Sequence, residues 1–334
     1  MTKIMIIKLG ALGDVVRTLP ILPAIKEKYP QSEIYWITKE NALQLFEGNP
    51  YVKKIYSLPY NVNKDEKFDI LYNFDIEDEA TKLALEIKAD KKLGFYAQDG
   101  FPASFNLSAE YYLNTLFDDN LKKNNKKTYQ EMMFEAVELD WKKQLCPIFL
   151  NEKDKKYAED FAKKFNINTK DLIGIHMGAG PRWPSKAWSQ ERIKKFVTLA
   201  KKGGYEIILF SGPDEIDTIN DVARDLEKEK IKIYKNNPRN TIKEFASLAN
   251  LCKAMVCSDS FALHISLALK KPTIGLFFCT SSNEIEDYGL LRKIVSPMLR
   301  DFFPERMDKY DENLVNSISA EQVFNVLEKI IKTI

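Results

Sequence analysis

Apolar residues fall along most of the chain in two alternating patterns. Residues 3–9, KIMIIKL, form an almost unbroken apolar run, whereas residues 15–28, VVRTLPILPAIKEK, place their apolar residues at helical spacing. The first pattern suits a strand buried on both faces, and the second an amphipathic helix. Pro20 and Pro23 lie inside the helical stretch and are expected to shorten or kink it, because proline has no N–H to give a helix interior. Further strands are expected at 32–38 (SEIYWIT), 52–58 (VKKIYSL), 68–74 (FDILYNF) and 91–97 (KKLGFYA), with helices at 41–48 and 77–90. Residues 105–165 are charged and mostly helical in pattern, and their KKNNKK at 122–127 reads as a solvated loop.

The alternation then restarts. LIGIHM (172–177) reads as a buried strand ending in the glycine turn GAG (178–180), and WSQERIKKFVTLAKKGG as an amphipathic helix stopped by glycines. YEIILFSG, KIKIY (230–234), KAMVCSD (253–259) and PTIGLFF read as strands, SFALHISLALKK and SAEQVFNVLEKIIKTI as helices. Thr241 with Glu244, and Ser319 with Gln322, have the spacing of capping boxes. The pattern predicts an α/β protein of two Rossmann-like halves with parallel sheets. The expected division is an N-terminal domain at 1–165, a second domain at 166–318, and a terminal helix at 319–334 that packs back toward the first. Two facing halves make a cleft, with ligands at the carboxyl ends of the strands.

Composition narrows the class. Of 334 residues, 50 are Lys or Arg and 48 Asp or Glu, so the charge balance gives no reason to expect a nucleic-acid partner. Cys146, Cys252, Cys257 and Cys279 include no C-x-x-C pair and there are only two histidines, which favours buried free thiols in a reducing cytoplasm over a structural metal site. The N-terminal apolar run is too short and lacks the cleavage pattern of a signal peptide. No stretch approaches the roughly 20 apolar residues of a transmembrane helix.

Four polar clusters fall at the expected strand ends: Gly10 to Asp14, His176 to Lys186, Ser211 to Glu215, and Asp259 to His264. Neither glycine turn matches the G-x-G-x-x-G of a dinucleotide site, which disfavours a nicotinamide dehydrogenase, and no full phosphate-binding P-loop motif is present. Taken singly, Asp14 fits a helix cap as well as a catalytic carboxylate, Lys186 a surface lysine, Glu215 an acidic helix start, and His264 a core histidine.

Taken together, IIKLGALGDVVRTLPILPAIKEKYP, GIHMGAGPRWPSKAWSQERI, ILFSGPDE and CSDSFALHISLALKKPTIGLF resemble, in order and over nearly the whole chain, the signature stretches of glycosyltransferase family 9. These are the ADP-heptose:lipopolysaccharide heptosyltransferases. The resemblance implies the GT-B fold and metal-independent, inverting transfer of a heptose from an ADP-sugar to a lipopolysaccharide-core hydroxyl, with no cofactor. It also implies a cytoplasmic enzyme that meets its glycolipid acceptor at the inner-membrane surface. An inverting transfer needs one base for the acceptor proton, while a diphosphate leaving group needs positive charge. The sequence has no Asp-x-Asp pair to hold a metal diphosphate.

By the resemblance, Asp14 is the base. Lys186 meets the donor diphosphate with Arg182 as an extra cation, Glu215 meets the ribose, and Asp259, Ser260, Phe261 and His264 open the donor-binding helix. Gly13, Lys8 and Arg17 are candidates on the acceptor side, and His176 is structural. Two stretches differ from the family pattern: Phe261 stands at a glycine, and Phe278–Cys279 at a Gly–Pro. A GT-B-fold sugar-nucleotide epimerase and a catalytically inactive nucleotide-sugar-binding protein are the competing readings.

Overall fold

Two six-stranded sheets organise the chain, and both have the same strand order. The computed structural model describes residues 1–63, 65–176, 178, 180 and 182–333; Met177 and Ala179 of the expected LIGIHM strand and GAG turn lie outside the described residues. Contacts divide the chain into one unit of Met1–Phe149 with Asn283–Glu286, and a second of Leu150–Ser282 with Asp287–Ile334.

The strands of the first unit are β1 (Lys3–Ile7), β2 (Glu33–Thr38), β3 (Val52–Ser57), β4 (Lys67–Asn73), β5 (Lys88–Gln98) and β6 (Phe101–Ser104). Its helices are α1 (Leu12–Thr18), α2 (Ile21–Lys28), α3 (Asp78–Glu86), α4 (Glu110–Thr115), α5 (Asp119–Asn124) and α6 (Tyr129–Ala136). The sheet runs β3-β2-β1-β4-β5-β6, parallel except for the antiparallel edge strand β6. In β1, Ile4, Met5, Ile6 and Ile7 are all fully buried, as a parallel strand covered on both faces requires.

The second unit comprises β7 (Leu172–His176), β8 (Glu206–Phe210), β9 (Tyr234–Lys235), β10 (Ala254–Ser258), β11 (Thr273–Phe277) and β12 (Leu291–Val295). Its helices are α7 (Glu152–Phe165), α8 (Gln190–Lys202), α9 (Ile216–Lys228), α10 (Ile242–Leu251), α11 (Phe261–Ala268), α12 (Leu299–Phe302), α13 (Glu312–Asn316) and α14 (Ala320–Ile331). The all-parallel sheet runs β12-β11-β10-β7-β8-β9. Counted within each unit, both sheets follow the doubly wound order 3-2-1-4-5-6. The order reverses between β1 and β4 in one and between β7 and β10 in the other, the places where such sheets bind ligands.

Several expectations hold locally. The helix at 15–28 is broken into α1 and α2 just before Pro20, Thr241 and Glu244 form a capping box at the start of α10, and all four cysteines are buried free thiols. Others give way to long-range pairing. The helix expected at 77–90 stops at Glu86, because Lys88 and Ala89 pair with Lys67 and Phe68 as the start of β5. Residues 41–48 form a 3-10 helix over Glu40–Phe46, KIKIY shrinks to the two-residue β9, and part of KKNNKK is helical in α5.

The contact-based division runs between Phe149 and Leu150, so α7 is grouped with the second unit. Helix α7 packs on α10, and Asn240 Nδ2 donates to the Tyr157 hydroxyl at 2.7 Å. Helix α14 is grouped with the second unit. Val323, Leu327 and Ile330 share a core with Ile193, Phe196 and Val197 of α8, and the Tyr205 hydroxyl donates to Glu328 Oε1 at 2.6 Å.

Candidate functional site

In the first unit the chain leaves β1 at Ile7 and enters α1 at Leu12. Ala11, not Asp14, is the N-cap, and Gly13 and Asp14 are the second and third residues of the helix. That placement turns the Asp14 carboxylate toward Arg17, one turn on: Oδ1 lies 2.8 Å from the Arg17 Nη2 and accepts from Nε at 3.1 Å. The Arg17 guanidinium sits 3.8 Å over the Tyr129 ring. Thr18 Oγ1 donates to the Asp14 carbonyl at 2.7 Å, leaving the Tyr129 hydroxyl, 3.1 Å away, as donor to Thr18. The Asp14 side chain keeps 35% of its surface exposed and Arg17 only 16%, so the arginine is a prop and the carboxylate is the part that meets solvent.

Lys8 does not reach outward as an acceptor contact does. It is buried, with Nζ 3.3 Å from Asp75 Oδ2 and donating to the Phe74 carbonyl at 3.2 Å. Burial by itself pushes the ammonium pKa down, but Asp75, with help from Tyr129, Asp14 and Tyr112, outweighs it and holds Lys8 well above the usual lysine range. Asp75 follows β4, the neighbour of β1, and its Oδ2 also accepts from the Leu9 and Gly10 amides at 2.9 and 2.7 Å. Asn73 holds Asp75 in place, accepting the Asp75 N–H and donating to the Asp75 carbonyl, both at 3.0 Å. A Cβ at position 10 would be crowded by three charged groups, lying 3.1 Å from Lys8 Nζ, 3.3 Å from Asp75 Oδ2 and 3.4 Å from Asp14 Oδ2. Gly10 is therefore the point on which three charged side chains converge.

In the second unit, Lys186 ends a 3-10 turn at Pro184–Lys186 and Asp259 follows β10. Lys186 Nζ is 3.2 Å from Asp259 Oδ2, and His264 Nε2, one turn into α11, is 3.8 Å from Asp259 Oδ1. Ser260 is the N-cap of α11, yet its hydroxyl makes no capping bond; the Leu263 amide goes to the Ser260 carbonyl instead, at 3.1 Å. The oxygens Ser260 Oγ, Thr280 Oγ1 and Ser211 Oγ are buried without a hydrogen-bond partner among the described residues. Such orphans are costly unless a polar group meets them, and these three follow β10, β11 and β8. Beside them, burial pushes the Cys279 thiol pKa up to about 11, with Lys186 opposing and Asp259 reinforcing the shift.

Glu215 closes the same side of the sheet. Its Oε2 accepts the Gly212 amide at 2.8 Å, and its Oε1 lies where a Cβ on Gly178 would go, so a larger residue at 178 would displace the Glu215 carboxylate. His176 Nδ1 is 2.9 Å from the Gly178 carbonyl, so Nδ1 carries the proton. Burial lowers the His176 pKa below the usual imidazole value, against the opposing effects of Glu215 and the Gly178 carbonyl. Arg182 is exposed, with its guanidinium 4.8 Å over Trp183. Among the described residues, no group of three or more His, Cys, Asp or Glu is placed to hold a metal ion, and no helix is long and apolar enough to cross a membrane.

Residues 64–306 match the family model described as glycosyltransferase family 9 (heptosyltransferase). The chain belongs to that family. It is 22% identical to lipopolysaccharide heptosyltransferase 1 of Campylobacter coli, over 98% of each chain. A glycosyltransferase family 9 structure from Veillonella parvula superposes with a TM-score of 0.78 at 19% identity, covering 100% of this chain and 98% of the other. The E. coli heptosyltransferase WaaC with ADP does so with 0.63 at 15% identity, covering 98% and 99%. The protein is thus a glycosyltransferase with the two-sheet α/β architecture of the GT-B class.

The structure places the side chains at the two stretches that differ from the family pattern as follows. The Phe278 side chain is buried in the core of the second unit and Cys279 is fully buried. The Phe261 ring packs 5.9 Å from Phe245 on α10. Sequence reasoning missed Asp75, Tyr129, Thr280 and the role of Ser211. Asp75 was legible in one respect only: it follows a strand whose carboxyl end the doubly wound order places beside the first glycine turn.

Proposed function

We propose that this family 9 glycosyltransferase moves a heptose from an ADP-heptose-like donor to a hydroxyl of a lipopolysaccharide-core acceptor, with inversion and without a metal ion. The observation that carries the donor half is the Lys186–Asp259–His264 set together with the unpartnered hydroxyls of Ser260, at the start of α11, and Thr280, after β11. A helix start, a lysine and free hydroxyls are the groups a diphosphate needs. Glu215 is the carboxylate assigned in this reading to accept from the ribose diol. Curated relatives are named lipopolysaccharide heptosyltransferases, and a neighbouring structure holds ADP, which supports the same donor.

In this reading Asp14 takes the proton of the acceptor hydroxyl as its oxygen bonds to the anomeric carbon. The bond from that carbon to the diphosphate oxygen breaks, and ADP leaves with the electron pair. Arg17 fixes the Asp14 rotamer, and Lys186 with the α11 amides receives the charge that develops on ADP, the part a metal plays in other glycosyltransferases. The acceptor is a glycolipid presented at the cytoplasmic face of the inner membrane.

The test is ADP release from ADP-heptose with a truncated lipopolysaccharide acceptor in excess EDTA, with the anomeric configuration of the product read by NMR. Full turnover with inversion is expected. Dependence on added divalent metal overturns the metal-free part, and retention of configuration overturns the single-base mechanism.

A further inference from the structure

Phe261 is the first residue of α11, directly after the Ser260 N-cap. Its ring centroid lies 5.9 Å from that of Phe245, with the planes at 37°. Phe245 in turn meets Phe210 at 5.2 Å and His176 at 5.9 Å, both edge-on. Phe210 and His176 are the last residues of β8 and β7. Four rings therefore pave the carboxyl ends of adjacent strands, and Glu215, whose charge His176 feels, borders them. Within this paving Phe210 is fully buried and Phe245 is 8% exposed, whereas Phe261 keeps exposed surface. An aromatic ring left partly open one residue from an unpartnered, buried hydroxyl offers a face to a planar group that is covalently tied to an anion.

We propose that Phe261, backed by Phe245, is a stacking wall for the nucleobase of the donor, so that the phenylalanine at this position strengthens nucleotide recognition. This rests on the donor-binding reading above. Base-on-ring stacking tolerates any base with a π face, and its loss typically weakens binding by about five-fold to more than a hundred-fold.

The experiment is calorimetric titration of the intact chain with ADP and, separately, with inorganic pyrophosphate, which lacks the base. For Phe261→Leu we expect ADP to bind at least about tenfold more weakly and pyrophosphate to change less than about twofold, with Phe261→Tyr restoring ADP affinity. Equal ADP affinity in Phe261→Leu and the unmodified chain overturns the proposal. So does an equal loss for both probes, which assigns the ring to shaping the helix start. If the unmodified chain binds neither probe, the donor reading itself fails. A measurement that needs no variant is saturation-transfer NMR on the unmodified chain: the adenine ring protons should receive magnetisation from the protein's aromatic protons, and its absence there overturns the stacking.

Discussion

Asp14 and Arg17 form an ion pair 2.8 Å long on one turn of α1, with the arginine sandwiched against the Tyr129 ring. The pair holds the carboxylate against Arg17 and leaves it 35% exposed, within reach of an incoming hydroxyl as a general base must be. Asp14→Asn keeps size and polarity but removes the proposed base. Transfer is expected to fall by about 10²–10⁴ while ADP affinity stays within about twofold, measured as ADP release against calorimetric titration. Loss of ADP binding in parallel with turnover would remove Asp14 from the base role.

Asp75 holds the β1–α1 loop from the end of the neighbouring strand, and its partner Lys8 is buried with it. Asp75→Ala leaves an unpaired buried ammonium, so destabilisation of about 3–5 kcal/mol is expected in denaturant unfolding. Lys8→Met combined with Asp75→Leu should recover part of that loss. The Lys8 pKa is raised on folding, so the stabilisation from its charged form is complete below the usual lysine value of 10.5 and fades only as pH climbs through the higher folded value. A stability curve of the unmodified chain that falls at pH 8 because of Lys8 would contradict this.

Lys186 lies 3.2 Å from Asp259 Oδ2. Lys186→Met removes the cation proposed to meet the diphosphate and leaves Asp259 to repel it, so ADP affinity is expected to drop by about ten- to a hundredfold. The expected contrast is adenosine, which lacks phosphate and should bind as before. Unchanged ADP affinity by calorimetry counts against the diphosphate role.

His176 carries a pKa lowered on folding, chiefly by burial, from the ordinary value of 6.5. The unfolded chain therefore takes up a proton near pH 6.5 that the folded chain accepts only at lower pH. Stability from this residue is complete above 6.5 and declines as pH falls through the window beneath it. His176→Gln should flatten that part of the stability curve, as read by thermal unfolding between pH 7 and pH 5. An unchanged slope there rules out the shift.

The sequence by itself determined the alternation of strands and helices, the break at Pro20, the helix cap at Thr241 and the four polar clusters at strand ends. Each rests on a local quantity: the period of burial, a missing N–H, or a side chain within reach of the next turn.

Tertiary structure decided the rest. Residues 88–90 look helical by period but are claimed by β4 as the start of β5. Helix α7 and the terminal helix α14 join the second unit because their apolar faces find α10 and α8 there. Lys8, which reads from sequence as a free cation, is drawn inward by Asp75, a residue 67 positions away that only the β1–β4 pairing brings to it. The direction of the Phe261 ring is settled by Phe245 on a different helix. In each case the deciding partner is distant in the chain, and strand order, not local pattern, sets which strand ends become neighbours.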